Sequence, residues 1–374
     1  MSTPMSERAF WLAWSQIEGL GTTLIRRLAQ QLGSLATAWE ADLAAVGQVE
    51  GIGPQLLERI AIARRHRDPL TDWQQHQQNN PHFWLPIDPD YPRLLLEIPS
   101  PPSVLYYRGQ VDTRELQGRI CAIAIVGTRD PSEYGRRWTR RIATALAQQG
   151  VVVVSGMAEG IDMEAHAACL EAGGRTIAVL GTGVDQIYPR RNRELYYRIC
   201  QQGWVTSEYP AGTQPDRFHF PRRNRIIAGL ARAVLVMEAP SKSGALITAH
   251  LANEFGREVY VLPGSLDNPR SLGCLGLLQR GAQVILSEGD LLQQLGAIPA
   301  LDADPMPTPS SQPLPNLEPH LARVLAAVPA EATSLDQIVL TTHLETGTVS
   351  SALMQLEMLD LVTQLPGLRY QRLR

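Results

Sequence analysis

The chain has 374 residues, of which 44% are hydrophobic and 19% charged, and its net charge is −3. This length points to two or three soluble domains, and the near-neutral balance excludes a bulk polycation, so any grip on a polyanion must come from local patches. Four widely spaced cysteines lack metal-ligand spacing, no apolar run reaches membrane-spanning length, and "MSTPMSERAFWLAW" lacks a signal peptide's pattern; a reduced, cytoplasmic protein without a membrane anchor is expected.

Residues 1–75 are predicted to form an all-α domain of the helix-hairpin-helix, SAM-like kind. "IEGLG" (17–21) recurs as "VEGIG" (49–53), each followed by a helix-forming stretch. Glycines in this pattern allow a tight turn and expose backbone N–H groups at the next helix's start, which suits an anion or, equally, a protein contact. Residues 1–70 hold seven acids and seven bases, a balance that does not favour strong DNA binding.

A Pro-rich stretch, "WLPIDPDYPRLLLEIPSPPSVLYYRG", leads into a core expected over 80–295. "ICAIAIVG", "VVVVSG", "TIAVLG", "AVLVMEA" and "EVYVLPG" read as buried strands, with "QVIL" as a last one. Helical patterns fall between them at 134–149, 161–172, 191–202, 222–230 and 243–255. Continuous apolar runs separated by helices predict an α/β, Rossmann-like, doubly wound and mostly parallel sheet. Residues 296–316 are Pro-rich and polar, a linker. Residues 317–374 read as three helices and a hairpin, a winged helix. Its third helix carries no arginine or lysine, and the module holds six acids and four bases, which favours a protein contact or a capping role over groove binding.

In an open parallel sheet, ligands sit at the carboxyl ends of the strands, where strand order reverses. The loops that follow the strands are "GTRDPSEYG", "SGMAEGIDMEAH", "GTGVDQIYPRRN", "EAPSKSGALITA" and "PGSLDNP". Each combines glycine with hydroxyl residues or arginine, a composition suited to phosphate. Neither a dinucleotide fingerprint nor a Walker lysine pattern is present, so a nucleoside triphosphate or NAD is not the expected ligand. Asp162 and His166, four apart on one helix, could do acid–base work, but helix capping by Asp162 and packing by His166 weigh more, since no nucleophile or ligand cluster accompanies them. Glu238 is the residue to watch in the alternative reading, a nucleotide-processing enzyme of the phosphoribohydrolase type; that reading lacks the "PGGxGT"-type loop.

Charge distribution favours a polymer. Residues 186–225 hold eight arginines and three acids, net +5, and residues 127–141 hold five arginines and two acids, net +3. Lys242 is the single lysine, so nearly every cation is a planar fork that can pair with phosphate or stack on a base. A single strand needs a basic groove with aromatic platforms, and "RFHFPRRNR" (217–225) supplies both. Arg217 suits a phosphate, Phe220 a base, and His219 is a weaker stacking candidate. Alternatively Phe218 and Phe220 plug the core while arginines form salt bridges, and Asn224 and Arg225 serve the helix start.

At these residues the chain resembles the DNA-processing protein A (DprA/Smf) family. The resembling stretches are "VGTRDPSEYG", "SGMAEGIDMEAHAACLEAGGRTIAVLGTGVDQIYP", the long run from "SEYPAGTQPDRFHFPRRNR" to "EVYVLPG", and "GCLGLLQRGA". The resemblance implies a core that binds single-stranded DNA without a cofactor or catalysis, protects incoming strands in natural transformation and loads the RecA recombinase. It also implies a homodimer through the core. Carried onto this sequence, Arg129 and Arg217 contact phosphates, Phe220 stacks on a base, and Ser155, Gly156 and Gly160 supply the loop beneath the strand. Arg222, Arg223, Asn224 and Arg225 complete the expected DNA-binding set. Thr128 stands where serine is expected and Ala245 likewise; Leu275 and Leu278 replace a polar residue and an isoleucine.

Overall fold

A computed structural model of the chain describes residues 5–296, 318–329, 333–358, 361–365 and 369–372. Two compact units divide it, residues 1–302 and residues 303–374.

The first unit opens with α1 (Met5–Ser15), α2 (Thr22–Leu32), α3 (Leu35–Glu40), α4 (Leu43–Gly47), α5 (Pro54–His66) and α6 (Pro69–Asn79). The two repeated turns lie between α1 and α2 and between α4 and α5. Gly19 and Gly51 both take φ of +95°, where a side chain would be strained. The repeats grip each other. Arg27 of α2 donates to the Glu50 carbonyl (2.9 Å), and Arg59 of α5 donates to the Glu18 carbonyl (3.1 Å).

These helices are not a separate body. The expected boundary at 75 falls inside α6, and the helical core runs on into the sheet region: Trp11, Trp14 and Trp73 share one apolar cluster with Phe83, Leu85 and Tyr106. The Trp11 indole donates to the Ser103 carbonyl (2.8 Å), and the Thr22 hydroxyl donates to the Pro101 carbonyl (2.8 Å).

There follow β1 (Phe83–Trp84), α7 (Arg93–Leu96), β2 (Leu105–Gly109), α8 (Thr113–Leu116), β3 (Ala122–Val126), α9 (Glu133–Gln148), β4 (Val152–Ser155), α10 (Ile161–Glu171), β5 (Thr176–Val179), α11 (Arg193–Gln202), β6 (Trp204–Ser207), α12 (His219–Leu230), β7 (Ala233–Val236), α13 (Gly244–Glu254), β8 (Glu258–Val261), α14 (Leu272–Leu278), β9 (Gln283–Val284) and α15 (Glu288–Gly296). The strands form one sheet in the order β1-β2-β6-β5-β4-β3-β7-β8-β9. Neighbours from β6 through β9 are parallel, and β1 and β2 add an antiparallel edge. Successive β3 residues alternate faces, as a doubly covered strand must. Ile123 and Ile125 pack with Ile142 and Leu146 of α9, while Ala124 and Val126 pack with Ile226 of α12 and Ala249 of α13. Strand order reverses between β3 and β7. This is the Rossmann-like, mostly parallel α/β sheet expected from the apolar runs.

The linker expected over 296–316 lies outside the described residues apart from Gly296. The second unit holds α16 (Pro319–Ala327), β10 (Thr333–Ser334), α17 (Leu335–Thr342), α18 (Thr346–Met358), β11 (Val362–Leu365) and β12 (Arg369–Arg372), with sheet order β10-β12-β11. Its core gathers Leu321, Val324, Ile338, Val349, Leu353 and Tyr370. This is a winged helix.

Candidate nucleic-acid interface

A cleft of about 640 Å³ opens at the carboxyl ends of β3 and β7, where strand order reverses. Arg129, Tyr188, Arg217, Phe220, Asn224 and Ser243 are among its lining residues. Close backbone packing builds it. Gly160, at φ +80°, starts α10, and a Cβ there would lie 2.7 Å from the carbonyl carbon of Arg129. Only glycine lets the loop after β4 press against the loop after β3. The Ile161 N–H then donates to the Thr128 carbonyl (3.2 Å), and the Thr128 N–H donates to the Glu238 carbonyl (2.7 Å). Arg129 is thus carried on a pinned loop, with its side chain exposed.

Arg129 lies 5.8 Å above the Phe220 ring. Phe220 is half-buried against Gly181, where a Cβ would sit 2.8 Å from the ring. The exposed Tyr188 ring lies 5.6 Å from Phe220. Arg217 lies 4.7 Å above Phe218, which is 62% exposed. Among the described residues, no acid lies within ion-pair distance of Arg129 or Arg217. Two uncompensated cations, Arg129 and Arg217, and two accessible rings, Phe220 and Tyr188, therefore converge at one opening, with Phe218 beside Arg217. Phe220 sits in the first turn of α12, which begins at His219; it neither lies in a loop nor plugs the core.

Beneath this opening is a buried polar floor. Ser155 is fully buried, and its hydroxyl donates to the Ile125 carbonyl (2.6 Å), so it shapes the loop and does not reach the cleft. The Asp162 carboxylate accepts from the N–H groups of Gly156 (3.1 Å) and Ala158 (3.4 Å), so it does not cap α10 as expected but ties the loop after β4 back onto the helix's first turn. Arg223 is 5% exposed and donates to the carbonyls of Gly156 (2.7 Å) and Val179. A Cβ on Gly156 would lie 2.6 Å from this guanidinium, so glycine is what leaves room for it. Burial holds the Arg223 pKa down, to about 10; Asp162 opposes this and the Arg129 charge adds to it. Arg223 remains charged at neutral pH and adds a fixed positive charge under the cleft. Asn224 accepts from Arg223 (3.2 Å) and donates to the Gly244 carbonyl (3.2 Å), joining α12 to α13.

Other expected site residues lie elsewhere. Arg225 makes a bidentate pair with Glu208 (2.7 and 2.8 Å), half-buried beside a different cavity. The periodicity of α12 explains this, since neighbouring residues on a helix point about 100° apart. Arg222 is exposed but does not line the cleft. His219 stacks on Tyr209 (3.9 Å), so its ring face is already taken.

The acid–base candidates also have structural partners. His166 is fully buried with Nδ1 2.7 Å from the Thr176 hydroxyl, and burial depresses its pKa to about 3. Glu238 is 2% exposed and accepts from the Ser132 N–H (2.7 Å), the Ser132 hydroxyl (2.8 Å) and Asn268 (3.0 Å), tying together the loops after β3, β7 and β8. Neither group is offered to a substrate.

Sequence reasoning missed Tyr188 and the α13 end of the cleft, including Ser243 and Ile247. Tyr188 stands in the "GTGVDQIYPRRN" loop already singled out for phosphate, and its ring was the signal available there.

The chain matches the family model "DNA recombination-mediator protein A" over residues 82–296 and the "DprA winged helix domain" over residues 308–368. It is 53% identical to Protein Smf of Synechocystis over 394 aligned residues, covering 98% of this chain and 99% of the relative. It is similar in structure to DNA processing protein A from Streptococcus pneumoniae, with TM-score 0.66 and 34% identity over 79% of this chain and 99% of the other. It is also similar to the Helicobacter pylori protein, described by its single-stranded DNA binding mode, with TM-score 0.51 and 32% identity over 57% of this chain and 95% of the other. With a family model over more than half of its length and a full-length relative at 53% identity, the chain belongs to the DNA-processing protein A (DprA/Smf) family.

Proposed function

We propose that this protein binds single-stranded DNA in the cleft at the β3–β7 reversal and acts as a binder, not a catalyst. The observation that carries the reading is the arrangement of Arg129 over Phe220, with Arg217 at the mouth and no acid paired to either cation among the described residues. An unpaired arginine is free to neutralise a phosphate, and an accessible ring is free to stack on a base. A duplex hides its base faces, so a site that relies on Phe220 selects single strands. The single-strand binding mode of the Helicobacter pylori relative supports the same reading.

Arg129 and Arg217 hold phosphates, Phe220 stacks on a base, and the Ser155–Gly156–Gly160 loop with Arg223 and Asn224 forms the supporting floor. Arg222 adds charge near the mouth, and Arg225 serves α12. In the cell the protein protects incoming strands during natural transformation and loads RecA onto them as a cytoplasmic homodimer joined through the core. The helical repeats act together with the sheet core as one unit, and the winged helix acts as a second. No helix among the described residues is long and apolar enough to cross a membrane.

Fluorescence anisotropy with a short labelled strand tests the assignment. Arg129→Ala and Arg217→Ala should each weaken binding severalfold and flatten its salt dependence. Arg225→Ala should leave affinity within about twofold, because its charge is spent on Glu208. Unchanged affinity in the first two variants would contradict the assignment.

A further inference from the structure

The cleft accounts for only part of the positive charge in residues 186–225. Arg190, Arg191, Arg193 and Arg198 lie just beyond Tyr188, on a 3-10 turn (Arg190–Asn192) and on α11. This segment is pinned to the cleft. Asn192, 2% exposed, donates to the carbonyl of Met157 (3.0 Å) in the loop after β4, and Arg191 pairs with Glu159 of that loop. The remaining cations look outward. Arg190 and Arg193 are exposed and have no acid within ion-pair distance among the described residues. Arg193 lies 5.8 Å over the ring of Tyr197, one helical turn on, and Tyr197 is 48% exposed. Tyr188, itself 42% exposed, stands between this stripe and Phe220. Two rings, Phe220 and Tyr188, are thus followed by two unpaired arginines, Arg190 and Arg193, and a third ring, Tyr197.

We propose that this face of α11 is a second track for the same single strand, receiving the nucleotides that leave the cleft: Arg190 and Arg193 hold phosphates and Tyr197 stacks on a base. The proposal rests on the reading of the cleft as a single-strand site. From Arg190 to Tyr197 the 3-10 turn and the first turn of α11 advance about 12 Å, enough for about three more nucleotides at the stacked spacing of ~3.4 Å. Free arginines beside an accessible ring are the elements of sequence-tolerant strand binding. An acidic protein surface is the competing occupant; it would use the arginines but gain little from a base-sized platform.

The test compares a short oligothymidine of about six nucleotides, which fits the cleft, with one of about twenty that also spans the track. The double variant R193A/Y197A should bind the short strand as the parent does and lose about tenfold affinity for the long one. Tyr197→Phe should keep the long-strand advantage, which separates ring stacking from damage to the fold. If R193A/Y197A binds both strands like the parent, the track is overturned and the cleft reading stands; an acidic protein partner would give that result. Equal losses on both strands would also overturn the track, because they would place these residues' effect in the cleft or the fold. If the unmodified protein binds neither strand, the cleft reading fails and the track falls with it.

Discussion

Arginines within one stretch of nine residues do different work here. Arg217 is exposed at the cleft mouth, Arg223 is 5% exposed beneath it, and Arg225 is committed to Glu208. A burst of charge in a sequence cannot reveal this sorting, since it depends on where each helical position points and which acid waits there. The two unpaired cations, Arg129 and Arg217, lie about 90 residues apart in the chain and meet only through the fold. Packing of His166 is the expectation from sequence, but its effect on titration comes from the fold. His166 is kept neutral by burial, with a folded pKa of about 3 against 6.5 for a free imidazole. Above pH 6.5 this has no effect. As the pH falls below 6.5 the unfolded chain gains a proton that the folded chain refuses, so stability is lost progressively down to about pH 3. His76, depressed to about 4 by burial, acts in the same direction. Urea midpoints measured from pH 7 to pH 4 should fall less steeply in His166→Gln than in the parent. Parallel pH profiles would contradict the assignment.

Most elements were legible because a doubly covered parallel strand is a continuous apolar run, and β3, β4, β5, β7 and β8 are such runs. The strands that escaped notice are those whose sequence is mixed. Trp204–Ser207 (β6) follows two apolar residues with two hydroxyl residues, and these hydroxyls bond to neighbouring backbone: Thr206 to the Tyr106 carbonyl (2.8 Å) and Ser207 to the Leu180 carbonyl (3.3 Å). The helical pattern expected from 222 starts three residues late, since α12 begins at His219 and takes Pro221 into its first turn, where proline is tolerated. That shift moves Phe220 from a loop onto a rigid helix. The helical repeats were legible as a glycine pattern, but not the way each repeat's arginine reaches the other's turn. Their glycines differ in consequence. A Cβ on Gly51 would lie 2.8 Å from Leu24 at a φ of +95°, whereas one on Gly53 would meet nothing within 4 Å. Gly51→Ala should cost about 1–3 kcal/mol in chemical unfolding, and Gly53→Ala much less. Equal losses would mean that the reciprocal packing of the two turns is not what holds the repeat.

At the scale of the whole molecule, a protein of net charge −3 brings the unpaired Arg129 and Arg217 together at one end of one sheet. Such a surface suits a strand gripped at a pocket better than a duplex coated along its length. Every cleft residue falls within the compact unit of residues 1–302, which also includes the helical repeats. A cut near residue 80 would bare Phe83, Leu85 and Tyr106, which pack with Trp11, Trp14 and Trp73, so the sheet core is not expected to behave well without its helices. The central claim is that the cleft selects single strands by pairing phosphates with Arg129 and Arg217 and stacking a base on Phe220. The most direct measurement is equilibrium anisotropy of the full chain with matched single-stranded and duplex oligonucleotides over a salt series. Binding should favour the single strand, and log K should fall with log salt at a slope of about −1.5 to −3, as expected for two to four neutralised phosphates. Phe220→Ala should remove about 1–3 kcal/mol of single-strand affinity. Equal affinity for both oligonucleotides, or a constant that salt and Phe220→Ala leave unchanged, would contradict the claim.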